Sequence, residues 1–147
     1  MKVRNEMNIS FESRSCNESF ARSAVAAFVS QLDPTIAELN EIRTAVSEAV
    51  TNCVVHAYRD AIGIIRINVR LTDHNEVIIR IRDSGIGIED VKQAMEPLYT
   101  TAPSEERAGL GFAVMQSFSD HLSVRSKPGK GTAVTLKKTL SRRASYG

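Results

Sequence analysis

Glu48-Ala49-Val50-Thr51-Asn52 occupies the middle of a helical pattern that extends from Thr35 to Tyr58. Thr35 is a favourable N-cap residue, and Glu38, three positions later, completes the signature of a capping box. Apolar residues recur through the pattern at the spacing of a single helix face. The sequence therefore predicts a long helix over residues 35–58 that packs one face against a sheet.

A polar stripe borders the apolar face of this helix. Glu48, Asn52 and His56 are spaced four residues apart, so their side chains lie above one another. A carboxylate in this position can orient a hydroxyl or accept its proton, and an amide oxygen is a suitable ligand for Mg²⁺. The helix alone favours the alternative of a solvated boundary stripe, since short patterns match by chance.

Two glycine-containing segments follow in the chain. Asp83-Ser84-Gly85-Ile86-Gly87 comes directly after an apolar strand pattern, and its glycines allow the backbone to approach a flat ligand. The carboxylate of Asp83 can accept a hydrogen bond from the adenine amino group. Gly109-Leu110-Gly111-Phe112 opens a helix, whose free amides favour phosphate. An ordinary strand-ending turn and a flexible hinge are the alternatives for the two segments.

Other features of the chain could complete such a site. The polar stretch 96–108 contains Thr100, Thr101 and Arg107, and it could close over a nucleotide as a lid or be a solvated surface loop. Thr132 opens a strand after a glycine-rich hairpin turn and could line a base pocket.

The remaining patterns predict the fold class. Strands are predicted over residues 7–13, 62–71, 77–81, 122–126 and 132–136, and helices over residues 17–31, 35–58, 89–95 and 110–118. The order predicts an α+β fold, a two-layer α/β sandwich with helices on one face of a mixed, mostly antiparallel sheet. We expect one domain over residues 1–147, with residues 140–147 frayed.

Composition limits the class of protein. The 147 residues include 19 basic and 17 acidic side chains, for a formal net charge of +2. This balance argues against direct nucleic-acid binding through a broad basic field. The chain has no apolar run of the ~20 residues that a membrane span needs and no signal-peptide pattern near residue 1. Its two cysteines are expected to be free thiols, so we expect a cytoplasmic protein that does not associate with a membrane.

The three segments together resemble the ATP-binding sites of the gyrase, Hsp90, histidine-kinase and MutL superfamily. Their order and spacing match three conserved boxes of that superfamily, in which the N box corresponds to Glu48 and Asn52, the G1 box to Asp83, Gly85 and Gly87, and the G2 box to Gly109 and Gly111. The resemblance implies a histidine-kinase-like ATPase fold with ATP and Mg²⁺ as cofactors.

Within this superfamily the chain resembles the bacterial anti-sigma-factor serine kinases. The resemblance covers nearly the whole chain, through the segments 4–7, 17–22, 31–35, 46–52 and 97–101. It implies a homodimer that binds and inhibits a sporulation sigma factor and phosphorylates a serine of an anti-anti-sigma partner. A stress-response sigma factor, or a non-catalytic ATP-dependent binding module, are the alternatives that the sequence leaves open.

The resemblance also implies roles for individual residues. Glu48 is the catalytic base or hydroxyl-orienting group, Asn52 holds Mg²⁺, and Asp83 recognises adenine. The four glycines at 85, 87, 109 and 111 shape the pocket, and the threonine pair 100–101 belongs to the lid. Arg22 and Arg107 are the candidates for partner contact. Two positions depart from the pattern, because relatives often have glycine at position 57 and lysine at position 102, where this chain has alanine.

Overall fold

One antiparallel sheet with helices on one face organises the chain. The computed structural model describes residues 2–58, 61–87 and 111–141. The strands are β1 (Val3–Glu12), β2 (Ile64–Thr72), β3 (Glu76–Asp83), β4 (His121–Lys127) and β5 (Gly131–Thr139). The helices are α1 (Cys16–Val29), which a 3₁₀ turn over Ser30–Leu32 extends, α2 (Ile36–Asn52), and α3, which includes residues 111–117.

The strand order is β1-β2-β3-β5-β4, and each of the four neighbouring pairs is antiparallel. The predicted α+β sandwich is confirmed. All five predicted strands are present, although β1 begins four residues earlier than expected and β3 continues to Asp83. The predicted helix 89–95 and the loop 96–108 lie outside the described residues.

The core lies between the sheet and the helices. Along β2, Ile65, Ile67 and Val69 are fully buried. Arg66, between the first two, and Arg70, after Val69, are exposed. This alternation follows from the two-residue period of a strand, which directs successive side chains to opposite faces. The buried face of α2 and apolar residues of α1 and α3 cover the inner face of the sheet, in a core that includes Val25, Val46, Val50, Phe112 and Met115.

Helix α2 begins as its sequence predicts. Thr35 Oγ1 accepts a hydrogen bond from the Glu38 N–H at 3.1 Å, and Glu38 Oε1 accepts one from the Thr35 N–H at 2.8 Å. The predicted helix 35–58 ends differently, because Cys53–Ala57 form a π-helical turn. In this turn the Tyr58 N–H donates to the Cys53 carbonyl at 3.2 Å. Such single π turns are often found at functional sites.

The end of β5 is anchored where the sequence predicts fraying. Leu140 is only 2% exposed, and its N–H donates to the Asn75 carbonyl at 2.9 Å. The Ser141 N–H donates to Glu38 Oε2 at 2.7 Å. Fraying from residue 140 therefore does not hold for these two residues, because their backbone groups find partners in the β2–β3 turn and α2. Residues 142–147 lie outside the described residues.

No helix in residues 2–58, 61–87 or 111–141 combines the length and the apolar character that crossing a bilayer requires.

Candidate active site

The polar edge of α2 faces the beginning of α3. A Cβ atom placed on Gly111 would lie 3.2 Å from Glu48 Oε2 and 3.3 Å from Asn52 Oδ1. Only a residue without a side chain leaves this space open at an ordinary contact distance. The structure therefore brings together Glu48, Asn52 and Gly111, which are separated by up to 63 positions in the sequence.

The amide of Asn52 has unused hydrogen-bonding capacity. Its Nδ2 atom is buried and has no hydrogen-bond partner among the described residues. A buried polar group without a partner costs free energy, and such exceptions in folded proteins often mark a site where a ligand binds. The neighbouring Glu48 carboxylate is partly buried, so the pair offers two oxygen-bearing groups side by side.

Asp83 ends β3 with its side chain on the inner face of the sheet. Its Oδ1 atom accepts a hydrogen bond from the Gly85 N–H at 2.9 Å. Its Oδ2 atom accepts one from the thiol of Cys53 at 3.5 Å. Because Cys53 follows Asn52 directly, this contact joins the end of β3 to the polar edge of α2. Each carboxylate oxygen retains capacity for a further donor.

The environment of this carboxyl alters its acidity. Burial raises the pKa of Asp83 above its ordinary value, and hydrogen bonds from the Gly85 N–H and the Cys53 thiol counter part of the rise. A hydrogen bond from the Thr132 N–H also lowers the pKa of Asp83. Burial, and then the charge of Asp83, raise the pKa of the Cys53 thiol well above its usual value, so the thiol stays protonated and remains a donor.

The turn after Asp83 packs against the end of α2. The Ile86 N–H donates to the Ala57 carbonyl at 3.1 Å, and the Ser84 N–H donates to the Tyr58 hydroxyl at 2.6 Å. A Cβ atom on Gly85 would overlap the backbone of Ala57, so this close approach requires glycine. Alanine at position 57, which departs from the family pattern, is accommodated with its side chain buried.

The β4–β5 hairpin closes the other side of this turn. The Gly129 N–H donates to the Ile86 carbonyl at 2.6 Å, and Gly87, with φ of 77°, packs against the backbone of Lys127. Thr132 is the register partner of Asp83 on β5, and its hydroxyl lies 2.8 Å from that of Ser126. The register of the sheet therefore places Thr132, the candidate for a base pocket, beside Asp83.

The other candidate residues have different places. Thr100, Thr101, Arg107 and Gly109 lie outside the described residues. Arg22 is exposed on α1 and pairs with Glu18 at 3.4 Å, one helical turn away. The Glu18 carboxylate also accepts a hydrogen bond from Ser47 on α2.

Two residues at the site were not predicted from the sequence to act there. Cys53, expected only to be a free thiol, is 5% exposed, and its thiol donates to the carboxylate of Asp83. Tyr58 was the last residue of a predicted helix, and its hydroxyl donates to the Ile64 carbonyl at 2.9 Å while accepting from Ser84. The only sequence feature that could have indicated a role of Cys53 at the site is its position directly after Asn52.

The residues present fit a nucleotide with a magnesium ion. The described residues hold no cluster of three or more His, Cys, Asp or Glu side chains that would bind a metal without another ligand. Mg²⁺ typically takes one or two protein oxygens and completes its shell with phosphate oxygens and waters. Glu48 and Asn52 can supply such oxygens, the start of α3 at Gly111 lies against both of them, and Asp83 can accept from an amino group.

Comparisons with known proteins identify the family. A family model described as a histidine kinase-like ATPase domain matches residues 11–138. A protein of Caldanaerobacter subterraneus subsp. tengcongensis named anti-sigma F factor is 57% identical over 142 residues, which are 97% of this chain and 99% of that protein. The anti-sigma F factor of Clostridium beijerinckii is 55% identical over 138 residues, covering 93% of this chain and 96% of that protein.

A solved structure supports the fold. The RsbU and RsbW domains of a Mycobacterium tuberculosis protein superpose with a TM-score of 0.69 and 19% sequence identity. The match covers 95% of this chain and 33% of that longer chain.

Proposed function

The chain belongs to the histidine kinase-like ATPase family and groups with the anti-sigma F factors, and we propose that it binds and inhibits a sigma factor and acts as an ATP-dependent protein serine kinase. The observation that carries the catalytic part is the convergence of Glu48 and Asn52 with Gly111 at one end of the sheet. A module that only bound ATP would not need a carboxylate beside the amide that holds the metal.

Glu48 is the residue that acts on the hydroxyl of the substrate serine. Its carboxylate stands at the buried edge of α2 beside Gly111, where it can orient the hydroxyl and accept its proton. Phosphoryl transfer depends mainly on positioning and on charge stabilisation, so a fixed carboxylate on a rigid helix suits this role.

Asn52 is the residue that holds the metal. Its amide lies beside Glu48 and has a buried nitrogen without a partner among the described residues, which is consistent with a position that a ligand completes. Mg²⁺, when bound, neutralises charge on the phosphates. We propose Gly109 and Gly111 as the point where backbone amides meet the phosphates.

Asp83 is the residue that selects adenine. The Gly85 N–H and the Cys53 thiol each donate to one oxygen of its carboxylate, and the remaining acceptor capacity of these oxygens is available to an amino group. Thr132, beside it on β5, lines the same pocket. We assign Thr100 and Thr101 to a lid over the nucleotide.

The names of the relatives support a sigma factor as one partner, and the resemblance to the anti-sigma-factor serine kinases suggests the others. We propose sigma F as the inhibited factor, an anti-anti-sigma factor as the phosphorylated substrate, and a homodimer in the cytoplasm as the active form. Arg22 and Arg107 remain our candidates for contact with a partner.

The test is reconstitution with labelled ATP, Mg²⁺, sigma F and the anti-anti-sigma protein. We expect label on one serine of the anti-anti-sigma protein and inhibition of transcription that depends on sigma F. Glu48→Gln should bind ATP with parental affinity and lose most of the transfer, whereas Glu41→Gln on the same helix should transfer normally. Inhibition without transfer would indicate a non-catalytic binding module, and inhibition of a stress-response sigma factor alone would change the circuit.

A further inference from the structure

The outer face of the sheet carries a row of arginines. The strand registers align Ser10, Arg66, Arg82, Ala133 and Arg125 across all five strands. These residues alternate with the buried positions, so their side chains point away from the helices. The small side chain of Ala133 leaves a gap between Arg82 and Arg125, and the row lines a groove of about 720 Å³ with Lys127 and Lys130 at its end.

The arginines of this row have no anionic partner in the part of the chain that the structure describes. Arg66, Arg82 and Arg125 are exposed and make no salt bridge with any described acidic residue. Arg70, further along β2, differs because it pairs with Glu6 at 2.8 Å. The groove is lined by five basic side chains and one acidic residue, Asp83, whereas the whole chain has a net charge of only +2, so positive charge is concentrated on this face.

The distances between the arginines of the row match the distances between carboxylates on one face of an α-helix. Neighbouring strands lie about 4.8 Å apart, which places Arg82 roughly 5 Å and Arg125 roughly 15 Å from Arg66 along the row. On an α-helix, with about 1.5 Å of rise per residue, carboxylates at positions i, i+4 and i+11 share one face and are about 6 and 16 Å from the first. The arginine fork pairs well with carboxylates.

A nucleic acid fits this face less well. The outer positions of the sheet carry no Phe, Tyr or Trp on which bases would stack, as far as the described strands extend. The row is also short, because the acidic residues Glu6 and Glu12 on β1 border it and would repel a continuing phosphate backbone. A second copy of this chain, with the same charges, would be repelled by the row itself.

We propose that the groove along Arg66, Arg82 and Arg125 is a docking surface for an acidic helix of a partner protein. The groove adjoins the nucleotide site, because Asp83 and Thr132 also line it, but the row itself lies on the outer face: Arg82 is exposed, whereas the side chain of its neighbour Asp83 accepts a hydrogen bond from Cys53 on the inner side. This inference does not rest on the proposed kinase activity.

A designed peptide tests the inference. The probe is an alanine-based helical peptide of about 18 residues with glutamate at i, i+4 and i+11, and its control is the same composition with the glutamates on different faces. The intact chain is titrated with each peptide at low ionic strength by fluorescence anisotropy, and amide chemical shifts locate the binding. We expect the matched peptide to bind at the arginine row and to bind at least about tenfold more tightly than the control, which is about 1.4 kcal/mol.

Paired variants separate the groove from general charge. Arg82→Gln with Arg125→Gln should weaken the matched peptide about tenfold or more, whereas Arg14→Gln with Arg43→Gln, which removes the same charge elsewhere, should change it less than about twofold. Both double variants should bind ATP like the parent. Equal affinity for the two peptides, equal losses in the two double variants, or tighter binding of labelled duplex DNA through the same arginines would each overturn the inference.

Discussion

Replacing Gly111 by alanine separates the stability of the fold from the binding of the nucleotide. The added Cβ atom would lie 3.2 Å from Glu48 Oε2 and 3.3 Å from Asn52 Oδ1. Both side chains would have to move by a few tenths of an ångström. The change therefore acts where the start of α3 meets the polar edge of α2.

The change should have little effect on the free energy of unfolding and a large effect on the affinity for Mg-ATP. Position 111 is helical with a negative φ, so alanine gains up to about 1 kcal/mol of helix propensity. Side chains displaced by small amounts cost a similar free energy. The free energy of unfolding should stay within about 1 kcal/mol of the parent. Metal ligation tolerates only about 0.2 Å, so Mg-ATP affinity should fall roughly 10–100-fold.

The assay is thermal unfolding with and without Mg-ATP, together with titration of the nucleotide. Without nucleotide, the Tm of Gly111→Ala should lie within about 4 °C of the parent. The rise in Tm that saturating Mg-ATP gives the parent should be mostly lost. Ser117→Ala, at an exposed position of the same helix, should keep both the parental Tm and the rise.

Parental affinity in Gly111→Ala would refute the reasoning, because the nucleotide would then not use the space between α2 and α3. A large fall in Tm without nucleotide would show instead that the geometry around this glycine serves the fold.

Three further predictions concern the same site. Asn52→Ala should weaken binding of ATP in the presence of Mg²⁺ and change it much less in EDTA; equal affinities with the parent in both titrations would contradict the role of the amide. Cys53→Ala should lower the free energy of unfolding by about 1–2 kcal/mol and weaken ATP a few-fold, because a donor to Asp83 and a buried group are lost; calorimetry showing parental values for both would be the contrary result. Burial raises the pKa of Asp83, so the contribution of this group to stability is complete below its unfolded pKa and is lost as pH rises through the folded pKa. Asp83→Asn should therefore stabilise the chain at neutral pH. In the parent, ATP affinity should decline as pH falls through the folded pKa of Asp83, because a protonated carboxyl is a weaker acceptor for the adenine amino group than the carboxylate; a parental affinity independent of pH would exclude this.

Local patterns predicted the elements that carry strong periodicity. The capping box of Thr35 and Glu38 and the alternation along β2 each follow from interactions within a few residues, and both are present. The π turn at the end of α2 was not predictable in this way. It is accompanied by a hydrogen bond from the Ile86 N–H to the Ala57 carbonyl, a contact between residues 29 positions apart that no local pattern encodes.

The site was predictable as a set of residue types but not as a network. From the sequence alone, the spacing of Glu48 and Asn52 predicted that they lie on one edge of a helix. The apolar pattern before Asp83 predicted that it lies at the end of a strand. The thiol of Cys53 as a donor to Asp83 depends on how β3 packs against α2, which no local pattern encodes. The arginine row was likewise not predictable from the sequence, because it depends on the registers of four strand pairs.

A crystal structure of the chain with ATP and magnesium tests the central claim most directly. We predict an adenine amino nitrogen about 2.9 Å from an Asp83 carboxylate oxygen, a metal ion held by the Asn52 amide oxygen, and phosphates beside Gly111. A nucleotide bound elsewhere, or side chains filling the space between Asp83 and Asn52 at saturating ATP, would contradict the account.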